Sequence, residues 1–342
     1  MGANVDAEAL KTFLTVHRLQ SFSKAAQSLH RTQPAISRRI GLLEEALGAT
    51  LFERGSAPLV LSQAGGVLLP YAERALAALQ DAEQAVRNLN VANVGPVSMA
   101  VVGTLAGRDL SAVLRRFAER HPDVRIDLRT ARSAEVSVLV RRGEATIGLR
   151  YDHDRSSDLE STSLGTEPLL VACAPDHRLA GRSIRSLAEL ADEHWLAFPE
   201  IPGQREVAAS HVFGIFRAAG LGDAQWTPVD SLTAQKRLVE AGFGLALLQE
   251  SSVAEELAAG EIGRIRVREL SAGSPVFIVV RRGGYLSAAA LELRRMLVDE
   301  YAPSLQRDGS RSAGGRRSER RDRARSRKVR SARPRTPRRS RR

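Results

Sequence analysis

One cysteine stands in 342 residues, which excludes an intrachain disulfide and any metal site built from several thiolates. That residue, Cys173, lies in the apolar run Leu169-Leu170-Val171-Ala172-Cys173 and reads as a small buried hydrophobe without a functional role. Aromatic residues make up only 4% of the chain, yet 43% is apolar, ordinary for a globular protein rich in Ala, Leu and Val. No apolar run approaches the ~18 to 20 residues that cross a bilayer. Asp6 and Glu8 stand where a signal peptide would carry positive charge and an apolar stretch, so a cytoplasmic location with no membrane partner is expected. The seven histidines (17, 30, 121, 153, 177, 194 and 211) form no HExxH or Cys/His spacing, and there is neither a GxSxG elbow nor a P-loop lysine. No catalytic constellation and no cofactor are expected, so the chain does not read as an enzyme. Asp152-His153-Asp154 reads as a solvated loop triplet rather than a metal site.

What is present in excess is positive charge, and it is unevenly placed. The net charge is +12, but from Pro303 to Arg342 sixteen arginines and one lysine against three acids give +14, leaving −2 for the first 302 residues. That tail is rich in Arg, Ser, Pro and Gly without hydrophobic periodicity, so its composition predicts disorder. It reads either as a phosphate-binding arm or as a dispensable solvated extension.

The body is long enough for two or three cores. Residues 6 to 90 read almost wholly as helix. Leu10, Phe13, Leu14 and His17 define a first helix closing near Leu19, and Ser21 or Ser23 caps a second that buries Ala25, Ala26 and Leu29. A third opens at Thr32-Gln33-Pro34, with Thr32 as cap and Pro34 in the first turn, where a missing N–H costs nothing. Its buried stripe is Ile36, Ile40, Leu43 and Leu47, and Gly48 ends it. Leu51 to Leu61, with Gly55 and Pro58 between apolar ends, suits a short hairpin or wing. From Ser62 to about Asn90 a long helix carries Leu68, Leu69, Ala72, Leu76, Leu79 and Val86, a stripe that calls for the same helix of a second subunit.

Beyond the boundary at Asn93-Val94-Gly95-Pro96, strands and helices alternate, which predicts an α/β domain with mostly parallel pairing. Expected strands are Val97–Val102, Val124–Leu128, Ala145–Leu149, Leu169–Ala174, Gly244–Leu248 and Val276–Val280. Expected helices are Leu110–Arg120, Glu135–Arg142, Gln204–Ala219 and Leu232–Ala241.

Between Arg18 and Arg39 stand Arg18, Lys24, Arg31, Arg38 and Arg39 with no acid among them, inside a helix-turn-helix whose apolar positions already account for its core. This is an electrostatic footprint for nucleic acid. The second helix of such a motif enters the major groove and its first turns reach base edges. Gln33, Pro34, Ser37 and Arg38 occupy those turns, opposite Ile36 and Ile40. Gln pairs with adenine and Arg with guanine, whereas Lys24, Arg31 and the wing residue Arg54 suit phosphates, and Thr32 is a further candidate DNA contact.

The residues Ser21-Phe22-Ser23-Lys24-Ala25-Ala26-Gln27-Ser28-Leu29, Thr32-Gln33-Pro34-Ala35-Ile36-Ser37, Leu42-Leu43-Glu44 with Leu47-Gly48, Leu51-Phe52-Glu53-Arg54 and Leu61-Ser62-Gln63-Ala64-Gly65 closely resemble the LysR-type transcriptional regulators. A looser likeness runs through His121-Pro122, Gly143-Glu144, Pro175-Asp176-His177-Arg178-Leu179-Ala180 and Leu238 to Ala246. Two positions depart from the family pattern: Ala145-Thr146 replace an Asp before a strand, and Gln249 replaces a Pro after one. The resemblance implies an all-α winged helix-turn-helix over 1–62, a linker and dimerisation helix over 63–92, and an α/β effector domain over 93–302. That domain is expected to have two lobes like those of periplasmic binding proteins, about 93–165 plus 268–302 and 166–267, with a small molecule in the cleft. Implied partners are promoter DNA, a second or fourth copy of the chain through 63–92, and RNA polymerase if the protein activates.

Ligands of open α/β sheets bind beyond the carboxyl ends of strands, near helix N-termini. Gly103-Thr104-Leu105 and Asp230-Ser231-Leu232-Thr233 are two such junctions. The resemblance adds Ser133 and the loop from Phe198 to Gln204, and suggests a carboxylate that Thr104 and Ser231 would bind. Ser231 reads equally as a cap of its own helix. Two competing readings are a solute-binding protein or enzyme, which has no use for the acid-free basic stretch, and an architectural protein that coats DNA through its tail.

Deleting residues 303–342 separates sequence reading from coating. A reader of sequence retains its preference for its own upstream duplex over a scrambled one, whereas a coating protein loses its affinity for both, measured by titration at two salt concentrations.

Overall fold

The computed structural model describes residues 5–53, 58–90, 96–199, 207–270 and 273–303. In chain order its elements begin with α1 (Ala7–Leu19), α2 (Phe22–Ser28), α3 (Gln33–Leu47) and α4 (Gln63–Asn90). There follow β1 (Val97–Val102), α5 (Arg108–Arg120), β2 (Ile126–Ala131), α6 (Ser133–Arg141), β3 (Ile147–Tyr151) and β4 (Leu159–Cys173). Next come β5 (Ser183–Ile184), β6 (Trp195–Ala197), α7 (Val207–Ala218), β7 (Trp226–Pro228), α8 (Leu232–Glu240) and β8 (Ala246–Gln249). The last are α9 (Ala254–Ala259), β9 (Gly263–Val267), β10 (Gly273–Arg281) and α10 (Ala288–Met296). Two compact units result. The first takes in the described residues up to Ser163 and Val276–Leu297, and the second takes in Leu164–Pro199 and His211–Pro275.

The first unit opens with a helical head around Phe13, Val16, Ala25, Ile36, Ile40, Leu43, Leu51, Phe52 and Ala72. The Phe52 ring packs 5.5 Å from Phe13 and 5.7 Å from Phe22, fastening the segment after α3 to α1 and α2. Asp6 caps α1 by accepting the Ala9 N–H at 2.7 Å, and Ser21 caps α2 by accepting that of Lys24 at 3.3 Å. Thr32 takes the cap position of α3 but its side chain makes no cap bond, contrary to expectation. Pro34 explains this, because it removes one of the two N–H groups that a cap hydroxyl reaches. Leu47, expected in the buried stripe, is 41% exposed. Among the described residues one antiparallel bridge, Phe52 with Leu61, marks the expected hairpin, and the turn at 54–57 lies outside them. Gly65 at the start of α4 lies so close to the Leu51 carbonyl that a side chain there would collide with backbone.

The same unit continues into a sheet ordered β2-β1-β3-β10. β1 is parallel to both β2 and β3, with Met99 opposite Leu128 and Ile147, whereas β10 runs antiparallel to β3, with Ile278 opposite Leu149. Leu110, Val113 and Phe117 of α5 and Val136 and Val140 of α6 are buried. In the second unit β4 lies antiparallel to β8 and β9, with Val171 opposite Leu247 and Ile265, while β5 pairs with β9 and β6 with β7 in parallel. Its core centres on Trp195, whose ring lies 4.7 Å from Phe216. The pairing is mixed rather than mostly parallel. Hydrophobic runs locate strands but carry no information about direction, and β4 and β10 each pair antiparallel with strands of the unit they enter.

Gly148 is the second residue of β3, where a Cβ would meet Val279 at 2.5 Å, Val136 at 2.7 Å and Val140 at 2.9 Å. Gly148→Ala is expected to destabilise this unit by about 1–3 kcal/mol through overpacking, seen as a lowered midpoint in thermal unfolding.

Candidate nucleic-acid interface and effector site

The first two turns of α3 divide by face. Ile36 and Ile40 are each 2% exposed and point into the head core, so Gln33, Pro34, Ser37 and Arg38 stand in solvent on the other side. Lys24, Arg31 and Thr32 are exposed beside them. Among the described residues none of Lys24, Arg31 and Arg38 pairs with an acid. Arg39 is different. It donates to Glu8 of α1 at 3.0 Å, so the acid-free stretch of sequence meets an acid in space and loses one of its five charges. The Thr32 hydroxyl is not spent on capping its own helix. Arg54 lies outside the described residues. What remains is an exposed basic surface with an amide, a hydroxyl and a guanidinium at its centre, the types of group that base-edge reading uses.

In the first unit Thr104 and Leu105 form a single 3-10 turn directly after β1, and Ser133 is the first residue of α6. Tyr151, at the end of β3, joins them. Its phenol shares a hydrogen bond of 2.8 Å with the Thr104 hydroxyl, and its N–H donates to the Ser133 hydroxyl at 3.3 Å. Leu105 and Tyr151 are each 2% exposed and Ser133 is fully buried, whereas Thr104 is half-buried and so keeps an open side. The carboxyl ends of two neighbouring parallel strands and one helix start thus converge on a hydroxyl cluster. Tyr151 was not among the sequence candidates. The clue was its place two residues past a predicted strand end, beside Thr104 only once the strands are paired.

In the second unit Ser231 caps α8, accepting the Ala234 N–H at 3.4 Å, yet it remains exposed. The half-buried Phe198 follows β6, and Gln204 lies outside the described residues. Gln235, one turn into α8 and 2% exposed, donates to the Leu196 carbonyl at 2.6 Å, which ties the helix start to β6. Cys173 is fully buried, and its thiol is pushed up to about 11 by burial and then by Asp176 and Glu193.

The triplet 152–154 is not simply solvated. Arg150, 4% exposed, donates to Asp154 at 2.6 Å and to Ser137 at 2.7 Å, and its Nε donates to the Tyr151 carbonyl at 3.1 Å. Burial would raise the Asp154 carboxyl, but hydrogen bonds from Ser137 and Ser156 and the Arg150 charge hold it at about 2. This network fixes the loop behind Tyr151. The Asp154 contribution, about 2 kcal/mol, is complete above its ordinary carboxyl range and is lost as pH falls through about 2. Asp154→Asn is therefore expected to flatten the acid limb of the stability curve, and at neutral pH to destabilise by leaving Arg150 short of its counter-charge. Urea unfolding at pH 3 and pH 7 measures both.

Comparison with known proteins places this geometry. Residues 7–66 match the family described as bacterial regulatory helix-turn-helix protein, lysR family, and residues 92–302 match the LysR substrate binding domain. The HTH-type transcriptional regulator CfxR of Cupriavidus necator is 30% identical over 318 residues, covering 90% of this chain and 96% of that protein. The RuBisCO operon transcriptional regulator of Allochromatium vinosum is 27% identical, covering 87% and 97%. Among solved structures, full-length CbnR complexed with its target DNA is 25% identical with a TM-score of 0.57, covering 85% of this chain and 98% of that one. These relatives are named transcriptional regulators, not enzymes. The chain belongs to the LysR family of transcriptional regulators, with a helix-turn-helix DNA-binding domain followed by an effector-binding substrate domain.

Proposed function

We propose that the protein reads its operator through Gln33, Pro34, Ser37 and Arg38, with Lys24, Arg31, Thr32 and the wing residue Arg54 holding the phosphate backbone. The observation that carries this is the solvent-facing half of α3, where the reading residues stand opposite two isoleucines sunk in the core. CbnR, of the same family, is known in complex with its target DNA. The domain division follows: DNA-binding head 1–62, linker helix 63–92, effector domain 93–302 and basic tail 303–342. The effector is a small molecule bearing a carboxylate, recognised by Thr104, Leu105 and Ser133, with Phe198, Gln204 and Ser231 as further contacts. The half-buried position of Thr104 supports this reading, as does the exposed start of α8.

The working form is a homodimer or homotetramer joined through the linker helix; Leu68, Leu69, Ala72 and Leu76 of the expected stripe are spent on the head core, and the exposed apolar residues that water covers poorly are Val67, Tyr71, Leu79 and Val86. Such an assembly acts in the cytoplasm, on the nucleoid when bound, and meets RNA polymerase if it activates. No described helix is long and apolar enough to cross a membrane.

The test is a titration of the chain against its own upstream intergenic DNA and a scrambled duplex at near-physiological salt. A preference of about three decades or more for the native duplex is expected. Arg38→Ala is expected to cost about tenfold or more on the native duplex and to relax one base position, whereas Lys24→Ala weakens both duplexes alike. Equal, weak binding to both duplexes would overturn the assignment for this DNA.

A further inference from the structure

One face of α4 is docked on the α/β part of its own unit over three successive turns. Glu73, 7% exposed, accepts from Arg142 Nε at 2.7 Å. Ala77, fully buried, lies 3.6 Å from where Gly143 would carry a Cβ, and Gly143 holds a left-handed φ of +74°. Asp81 accepts from Arg281 at 2.6 Å and from the Tyr285 N–H at 3.1 Å. The DNA-binding head reaches the same place, because α1 packs on α4. His17 of α1 is held below the usual imidazole value by burial, then by Arg142, with Glu73 opposing.

Arg142 and Gly143 are also the turn between α6 and β3. At the far ends of those two elements stand Ser133 and Tyr151, the hydroxyl cluster described above. Between the ends, Val136 and Val140 of α6 close tightly over Gly148 of β3, so helix and strand cannot slide past each other and move as one body. Nine residues of helix span about 14 Å, the whole distance from the cluster to the linker.

We propose that Arg142 and Glu73 are positioning residues for DNA binding, and that the α6–β3 pair is a rigid lever through which the state of the Thr104–Ser133–Tyr151 cluster sets the hold of the effector domain on the linker helix and head. The identity of the cluster as an effector contact rests on the proposed function; the lever itself does not. An anion or a hydroxyl compound that competes for Thr104 and Tyr151 shifts one end, and the buried Glu73 carboxylate at the other end tolerates only a paired arrangement.

The experiment uses the full chain with no added ligand. Arg142→Gln leaves the Glu73 carboxylate buried without its counter-ion, so amide exchange over residues 73–84 is expected to accelerate at least tenfold. Adding Glu73→Gln removes the stranded charge and returns exchange to within threefold of the parent, and Arg142→Lys stays close to the parent. In DNA titrations with the native upstream duplex, Ser133→Ala and Arg142→Gln are expected to combine non-additively, by fivefold or more, because both act on one body. Unchanged exchange in Arg142→Gln, failure of the double variant to recover, or additivity within twofold overturns the proposal. A failed search for an effector would count against the effector contacts alone, because none of these readouts involves a ligand.

Discussion

Everything in the first unit depends on how α4 distributes its faces. Its first four turns complete the head: Ala72 is fully buried there and Leu68, Leu69 and Leu76 pack around it. A second face carries Glu73, Ala77 and Asp81 to Arg142, Gly143 and Arg281, and a third leaves Val67, Tyr71, Leu79 and Val86 in solvent. A helix of 28 residues outside a compact core has few sources of stability besides such contacts. The same helix therefore closes the DNA-binding core, fastens it to the sheet behind, and offers an apolar stripe for a partner.

The exposed face of α3 follows from that closure. Burial of Ile36, Ile40 and Leu43 fixes the rotation of α3, and the helical period then dictates that Gln33, Ser37 and Arg38 face outwards. Pro34 starts the helix and at the same time frees Thr32 from capping it. Charge is trimmed by the fold as well, since Glu8 neutralises Arg39 and leaves Arg38 as the guanidinium at the centre. The proposed specificity rests on a few exposed side chains held by an apolar core rather than on the net charge of the chain.

On the effector side, parallel pairing of β1 and β3 brings Thr104 and Tyr151 within hydrogen-bonding distance although 47 residues separate them. The close seat of α6 over Gly148 makes that end of the sheet stiff, and the buried Arg150–Asp154 pair holds the following loop. Packed interiors of this kind switch between arrangements instead of deforming smoothly, so a rearrangement at this end of the sheet is felt elsewhere.

The amino-acid sequence by itself determined the helix-turn-helix, the linker helix, the alternation of strands and helices, and the residues in the first turns of α3 that face solvent. Each is written in local periodicity, caps and breakers, reinforced by a dense run of family motifs from Ser21 to Gly65. Short strands such as β5, β6 and β7 carry two or three residues each, too few for a period, and the first half of β4 hides behind the polar stretch from Glu160 to Pro168. Tertiary structure alone decided the mixed strand directions, the exposure of Leu47, the pairing of Arg39 with Glu8, the place of Tyr151 beside Thr104 and the docking of Glu73 on Arg142. The reason is common to all of them. Each depends on which distant segments become neighbours, and that is settled by the joint burial of apolar faces and the pairing of buried charges, quantities that no local window of sequence contains.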